Sequence, residues 1–183
     1  MTDTVESARL LIETVADCLD AIDVRGVLIG GQAVNAWVEP RITLDVDVTV
    51  MSGPSSHQLL AQFEQAGFGL LQKQDAGGKS GPDFLRMRHA ASGVALDVQV
   101  AKTDFETGVV TRGVVVDGLR IPVATPEDLL LLKLIASRHK DQRDLIDLGR
   151  IVSLDWHYIE HWAPIWDISE RLADLRELLN RPE

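Results

Sequence analysis

The stretch Leu44 to Val50 alternates without a break: Leu44, Val46, Val48 and Val50 fall in one phase, Asp45, Asp47 and Thr49 in the other. A period of two marks a strand, because successive side chains point to opposite faces of a sheet. One face of this strand is therefore expected to be apolar and buried, and the other to carry two carboxylates. Gly93 to Val100 repeats the design, with Leu96, Val98 and Val100 in the apolar phase and Asp97 and Gln99 in the polar one. Two such segments call for a sheet that buries one side. Aspartate is depleted in strands, so three of them in matching phase need a reason other than folding.

Helical patterns surround these strands. From Val5 to Ile22 the residues Ala8, Leu11, Ile12, Val15, Leu19 and Ile22 recur at spacings of three and four, as on an amphipathic helix. Gly26 to Ile29 reads as a short buried strand broken by Gly30-Gly31, and Gln32 to Val38 as a helix stopped by Pro40. A further helix is expected from Ser55 to Ala66, capped by serine and ended by Gly67. Phe68 to His89 reads as two strands around the turn-forming run AGGKSGP. Val109 to Val116 and Leu119 to Val123 are expected to form a hairpin at Asp117-Gly118. Thr125-Pro126 opens a helical pattern that continues to Asn180. The fold class is α+β, a small sheet with interleaved helices followed by a helical C-terminal third.

Length and charge bound the function. A chain of 183 residues suits one domain, or one with a small helical appendage. Its 18 Lys+Arg against 28 Asp+Glu leave a net charge of −10, which argues against coating nucleic acid through a general positive field. No DNA partner is expected, and any RNA contact has to be local. No apolar run is long enough for a membrane span and MTDTVESARL opens polar, so the expected location is cytoplasmic, with no membrane partner. The single cysteine, Cys18, excludes an internal disulfide and reads as a packed, inert thiol.

The chemistry concentrates in Gly30-Gly31, Asp45, Asp47 and Asp97. Carboxylates two residues apart on a strand leave the same face roughly 6.6 Å apart at the backbone, near enough for their ends to converge on a divalent ion. Oxygen-only ligation selects Mg²⁺ or Mn²⁺. If the two alternating strands pair, Asp97 joins that face. A glycine pair at a strand-to-helix junction lets backbone N–H groups approach phosphate closely. Together these parts describe metal-assisted phosphoryl transfer from an NTP. The plain alternative is that Asp45 and Asp47 form the solvated face of an ordinary strand.

This arrangement resembles the signature of the nucleotidyltransferase superfamily, in which a strand ending in Gly-Gly or Gly-Ser leads to D-x-D and a third carboxylate. LIGGQAVNAW and RITLDVDV, with TPEDLLLLKLIASRHKDQRDLIDL downstream, are similar to the AbiEii/MenT group of toxin nucleotidyltransferases. The resemblance implies a small mixed sheet with flanking helices in a catalytic core over residues 1–124, and a helical region over 125–183 packed on it. It implies Asp45, Asp47 and Asp97 as metal ligands and catalytic residues, with Gly30 and Gly31 cradling the triphosphate. It adds Lys133, Asp141 and Asp144 to the nucleotide-binding set, Lys133 neutralising phosphate charge in catalysis. The implied acceptor is the 3′ end of tRNA, and a cognate antitoxin is an implied partner. Other acceptors are a small-molecule hydroxyl on an aminoglycoside- or lincosamide-like antibiotic; a further reading is a binding module without turnover. At Gly31 many members of the superfamily carry serine, so one hydroxyl contact to the triphosphate is missing.

Several residues admit two readings. Lys133, in the run LLLLKLIAS, either snorkels to water or meets a fixed anion, taken to be the nucleotide phosphate; Lys133→Met is then expected to hold or raise the melting temperature. Arg41 and Thr43 contact nucleotide or acceptor, or pair with the aspartates. Asp141 and Asp144 read by default as a surface ion-pair set with Arg138 and Lys140. Arg86, Arg88, Arg138, Lys140 and Arg143 are the candidate RNA contacts. His157 to His161 matches H-x-x-E-H, but the third zinc ligand has little chain left to supply it, and an amphipathic helix beside Trp156 and Trp162 explains the pattern. Gly78-Lys79-Ser80 ends like a P-loop, yet the first glycine of that motif would fall on Lys73.

Overall fold

The computed structural model describes residues 2–53, 55–74, 84–151 and 153–181. The run AGGKSGP, with Gly78-Lys79-Ser80, lies outside the described residues. The chain starts with α1 (Thr2–Ala21), β1 (Gly26–Ile29), α2 (Gly30–Val34) and β2 (Asp45–Val50). Next come α3 (Ser56–Gln65), β3 (Phe68–Gln74), β4 (Phe84–His89), β5 (Ala95–Val100) and α4 (Asp104–Thr111). The last part holds α5 (Pro126–Ala136), a 3-10 turn (His139–Asp141), α6 (Gln142–Gly149), α7 (Trp156–Trp162) and α8 (Ser169–Leu179). The class is α+β, as the periodicities predict.

The five strands form one mixed sheet in the order β1-β2-β5-β4-β3. The two alternating strands do pair: β2 runs parallel to β5, and the other neighbours are antiparallel. Val46, Val48 and Val50 of β2 and Leu96, Val98 and Val100 of β5 are buried, in one apolar core with Leu11, Ile12, Val15 and Leu19 of α1. That core also takes in Leu129, Leu130, Leu131 and Leu134 of α5, Leu148 of α6, Ile159 of α7 and Leu172 and Leu175 of α8. The helical third thus shares its apolar interior with the sheet.

Local chemistry sets the element ends. Ser55 caps α3 in a capping box with Gln58, and Thr125 caps α5 with Pro126 in its first turn. An ion pair with a buried carboxylate joins three helices. Arg112, just past α4, lies 2.9 Å from the Asp128 carboxylate of α5, which also accepts a 2.8 Å hydrogen bond from the Tyr158 hydroxyl of α7. The guanidinium stacks 3.5 Å from the centroid of that tyrosine ring.

Three expectations need correction. Val109 and Val110 lie not in a hairpin strand but on α4, which starts at a second capping box, Thr103 with Glu106. Only the antiparallel pair Val114 and Val123 remains of the hairpin, while Val123 bridges to Leu28 along the outer edge of β1. The helix expected over Gln32 to Val38 shortens to α2 and ends in turns. Leu44 is 63% exposed rather than buried, because the pairing of β2 with β5 begins only at Asp45 with Ala95.

Candidate active site

Strand register assembles the carboxylates. Asp47 lies directly opposite Asp97 across the parallel pair, and Asp45 lies opposite Ala95. All three aspartates therefore share the polar face of the sheet. On the other side of β2, Ile29 is the partner of Asp47, so the chain leaves β1 at Gly30 beside that carboxylate. Gly30 adopts φ +67, and a Cβ there would collide with the Asp47 side chain. Glycine is required at this junction for both reasons.

The electrostatics of this face are unfavourable as they stand. Burial, then the charges of Asp97 and Asp45, push the Asp47 carboxyl up to about 6. Burial also raises Asp97, against an opposing pull from Arg86, whose Nε stands 3.4 Å from its Oδ1. That Oδ1 is buried and accepts no hydrogen bond. Among the described residues no three acidic, histidine or cysteine side chains already converge as a metal-binding cluster. The donor set, oxygen only and partly dehydrated with one unsatisfied carboxylate atom, fits Mg²⁺ or Mn²⁺.

A second charged set lies on the α2 and α5 side. Asn35 fixes the backbone of Arg41 by hydrogen bonds of 2.8 and 3.0 Å, and the Arg41 guanidinium grips Asp144 through Nε at 2.7 Å and Nη2 at 2.5 Å. Lys133 Nζ stands 2.6 Å from Asp144 and 3.0 Å from Asp141, and Arg138 Nε donates to Asp141 at 2.7 Å. Burial alone would raise both aspartates. The hydrogen bonds from Arg138 and Lys133 to Asp141, and from Arg41 and Lys133 to Asp144, hold them below the usual carboxylate range. Arg138 and Lys140 also exert a stabilising field on Asp47 and Asp97.

Two readings of these residues change. Asp141 and Asp144 are not a surface set: they are 2% and 1% exposed. Lys133 does not snorkel, for it is 4% exposed, and the anions it meets are these two carboxylates. Arg41 pairs with Asp144 rather than with Asp45 or Asp47. Thr43 takes up space beside the glycine pair: a Cβ on Gly31 would lie 2.7 Å from its hydroxyl oxygen. In the H-x-x-E-H segment, Glu160 lies 2.6 Å from Arg176 and the His161 ring packs on Trp162.

A mixed sheet with D-x-D on one strand, a third aspartate in register on its parallel neighbour and a glycine pair beside them defines the nucleotidyltransferase fold. The family model described as "Nucleotidyl transferase AbiEii toxin, Type IV TA system" matches residues 17–176, and the chain belongs to this family of nucleotidyltransferases. Solved structures agree on the fold. The crystal structure of ANT(2")-Ia in complex with adenylyl-2"-tobramycin superposes with a TM-score of 0.63 at 15% identity, covering 88% of this chain and 97% of that one. The solution structure of the antibiotic-resistance factor ANT(2'')-Ia gives 0.65 at 17% identity, covering 94% and 96%. No curated protein matches the chain by sequence. No helix among the described residues is long and apolar enough to cross a membrane.

Proposed function

We propose that this nucleotidyltransferase moves an NMP from a metal-bound NTP to an acceptor hydroxyl at the 3′ end of tRNA, releasing pyrophosphate. The observation that carries the reading is the register of Asp47 with Asp97 beside a glycine whose Cβ would strike Asp47. Asp45 and Asp47 hold the cations, and Asp97 joins them and orients the acceptor hydroxyl. Bound Mg²⁺ or Mn²⁺ supplies charge neutralisation at the triphosphate and acidifies the attacking hydroxyl. Gly30 and Gly31 cradle the triphosphate through their backbone N–H groups, and the Thr43 hydroxyl stands next to Gly31 as a side-chain donor. Lys133, Asp141 and Asp144 serve the nucleotide by fixing Arg41 and Arg138, whose positive charge faces the phosphates. The toxin family implies a cognate antitoxin, and a tRNA substrate implies action in the cytoplasm.

A small-molecule acceptor is the second reading, favoured by the likeness in fold to a protein solved with adenylyl-2"-tobramycin and by the net charge of −10. One assay separates the two. Protein is incubated with each labelled NTP, Mg²⁺, total RNA and an aminoglycoside, and the labelled product is identified. Label on tRNA that is lost with Asp47→Asn supports the proposal; label on the drug alone rejects the tRNA acceptor.

A further inference from the structure

The polar face of the sheet does not end at the carboxylates. Arg86 of β4 lies opposite Asp97, and Arg88 lies opposite Ala95, which is itself the partner of Asp45. Both arginines therefore share the face of the aspartates, two residues apart on one strand. At this end of the strands lies a cleft of about 380 Å³, bounded by Ala8 of α1 and the turn between β4 and β5, into which Asp45, Arg86 and Arg88 all open. Arg88 is exposed, with Nη1 donating to the Gly93 carbonyl at 2.9 Å, which holds the guanidinium along the cleft. The Arg86 side chain is 41% exposed. Leu44, which lines the cleft, is 63% exposed, a large apolar side chain on the segment that leads straight into D-x-D.

We propose that this cleft is the acceptor subsite, and that it takes a single-stranded RNA end, with Arg86 and Arg88 on the phosphodiester that precedes the terminal nucleotide and Leu44 against a base. The inference rests on the transfer reading above and assigns its acceptor side. Cations stand on both flanks of the carboxylates but belong to different elements. Arg41, Arg138 and Lys140 come from the side of the glycine pair, where the triphosphate is proposed to lie; Arg86 and Arg88 come from β4, across Asp97. A polycationic drug in this cleft would face the like charges of Arg86 and Arg88. An RNA end would meet paired donors suited to phosphate. With a net charge of −10, the protein attracts a polyanion only where such local charge exists.

The test uses the full chain and a short RNA bearing 5′-fluorescein and a free 3′-hydroxyl, followed by anisotropy over a salt series. Nucleotide affinity is measured separately by calorimetry with Mg²⁺ and each NTP. Arg88→Gln should weaken RNA binding about tenfold and flatten the log–log salt slope by about 0.7, with NTP affinity held. Arg88→Lys should restore part of the binding. Arg181→Gln, on an exposed residue past the end of α8, is the control for general charge. Equal RNA affinity in Arg88→Gln and Arg181→Gln would overturn the assignment, as would an NTP affinity that falls alongside the RNA affinity. A wild-type protein that binds no RNA, or RNA displaced by inorganic phosphate as readily as by unlabelled RNA, would also overturn it. Arg88-dependent RNA binding by a protein that binds no NTP would leave the cleft standing and sink the transfer reading instead.

Discussion

Two sets of aspartates, the half-buried Asp47 and Asp97 and the buried Asp141 and Asp144, are built in opposite ways. Asp141 and Asp144 are nearly inaccessible, yet three cations, Arg41, Lys133 and Arg138, hold them below the usual carboxylate range. Asp47 and Asp97 lie opposite each other in register; Arg86 reaches only Asp97, at 3.4 Å, Arg138 and Lys140 act on both through their field alone, and both carboxyls are raised. Burial acts alike on the two sets; the count of neighbouring cations decides the sign. A compensated cluster is a clamp that tolerates no loss of partner. An under-compensated one is where the proposed divalent cation would be held.

The largest effect that tests this contrast is expected from Asp47→Asn. Turnover should fall by about 10³-fold, while the metal-free fold becomes more stable at pH 7 by about 3 kcal/mol. A carboxyl raised to about 6 in the folded state favours folding fully below its unfolded value near 4 and loses that contribution as pH rises through 6. The advantage of the asparagine variant should therefore be full above pH 6 and shrink as pH falls from 6 towards 4. Urea denaturation in EDTA at several pH values reads it directly. A variant less stable than the parent at pH 7 would break the comparison.

Lys133→Met probes the opposite cluster. It leaves two buried carboxylates, each with a single arginine, so stability should drop by about 3 kcal/mol. This reverses the expectation of an unchanged melting temperature drawn from the leucine run. The double variant Lys133→Met with Asp144→Leu should recover part of the loss in thermal melts. An unshifted single variant would show that Lys133 carries no load in the clamp.

Added metal gives a smaller, diagnostic shift. Mn²⁺ at ten times its dissociation constant should stabilise the parent by about 1.4 kcal/mol and leave Asp47→Asn unmoved, as followed by calorimetric unfolding. Smaller again is the exchange at the glycine pair. Gly31→Ser forces its Cβ against Thr43 and should weaken NTP binding several-fold. Thr43→Ala in the same chain should return the affinity, with isothermal titration as the measure.

The Asp45, Asp47 and Asp97 side of the site was legible in the chain because strand periodicity is local: a period of two assigns each residue a face wherever the strand lies. The caps at Ser55 and Thr125 and the glycine pair were legible for the same reason, as each is settled within a few residues. Asp141 and Asp144 were not. One partner of Asp144, Arg41, lies 103 positions earlier in the chain and is carried to α6 by the packing of α2 against β2 and α5. The helix α4 was misjudged because its valines suit a strand, and the decisive local signal was the polar pair Thr103 and Glu106 at its start.

The sequence by itself determined the alternating strands, the α+β class and the residue types able to hold a divalent cation and a triphosphate. Only the tertiary structure decided which aspartates are compensated and which are not, and that β4 brings Arg86 and Arg88 onto the same face. The physical reason is range. Periodicity, capping and backbone sterics act over a few residues, whereas the charge state of a buried carboxylate is set by whichever cations the folded chain brings within a few ångströms, at any separation in sequence.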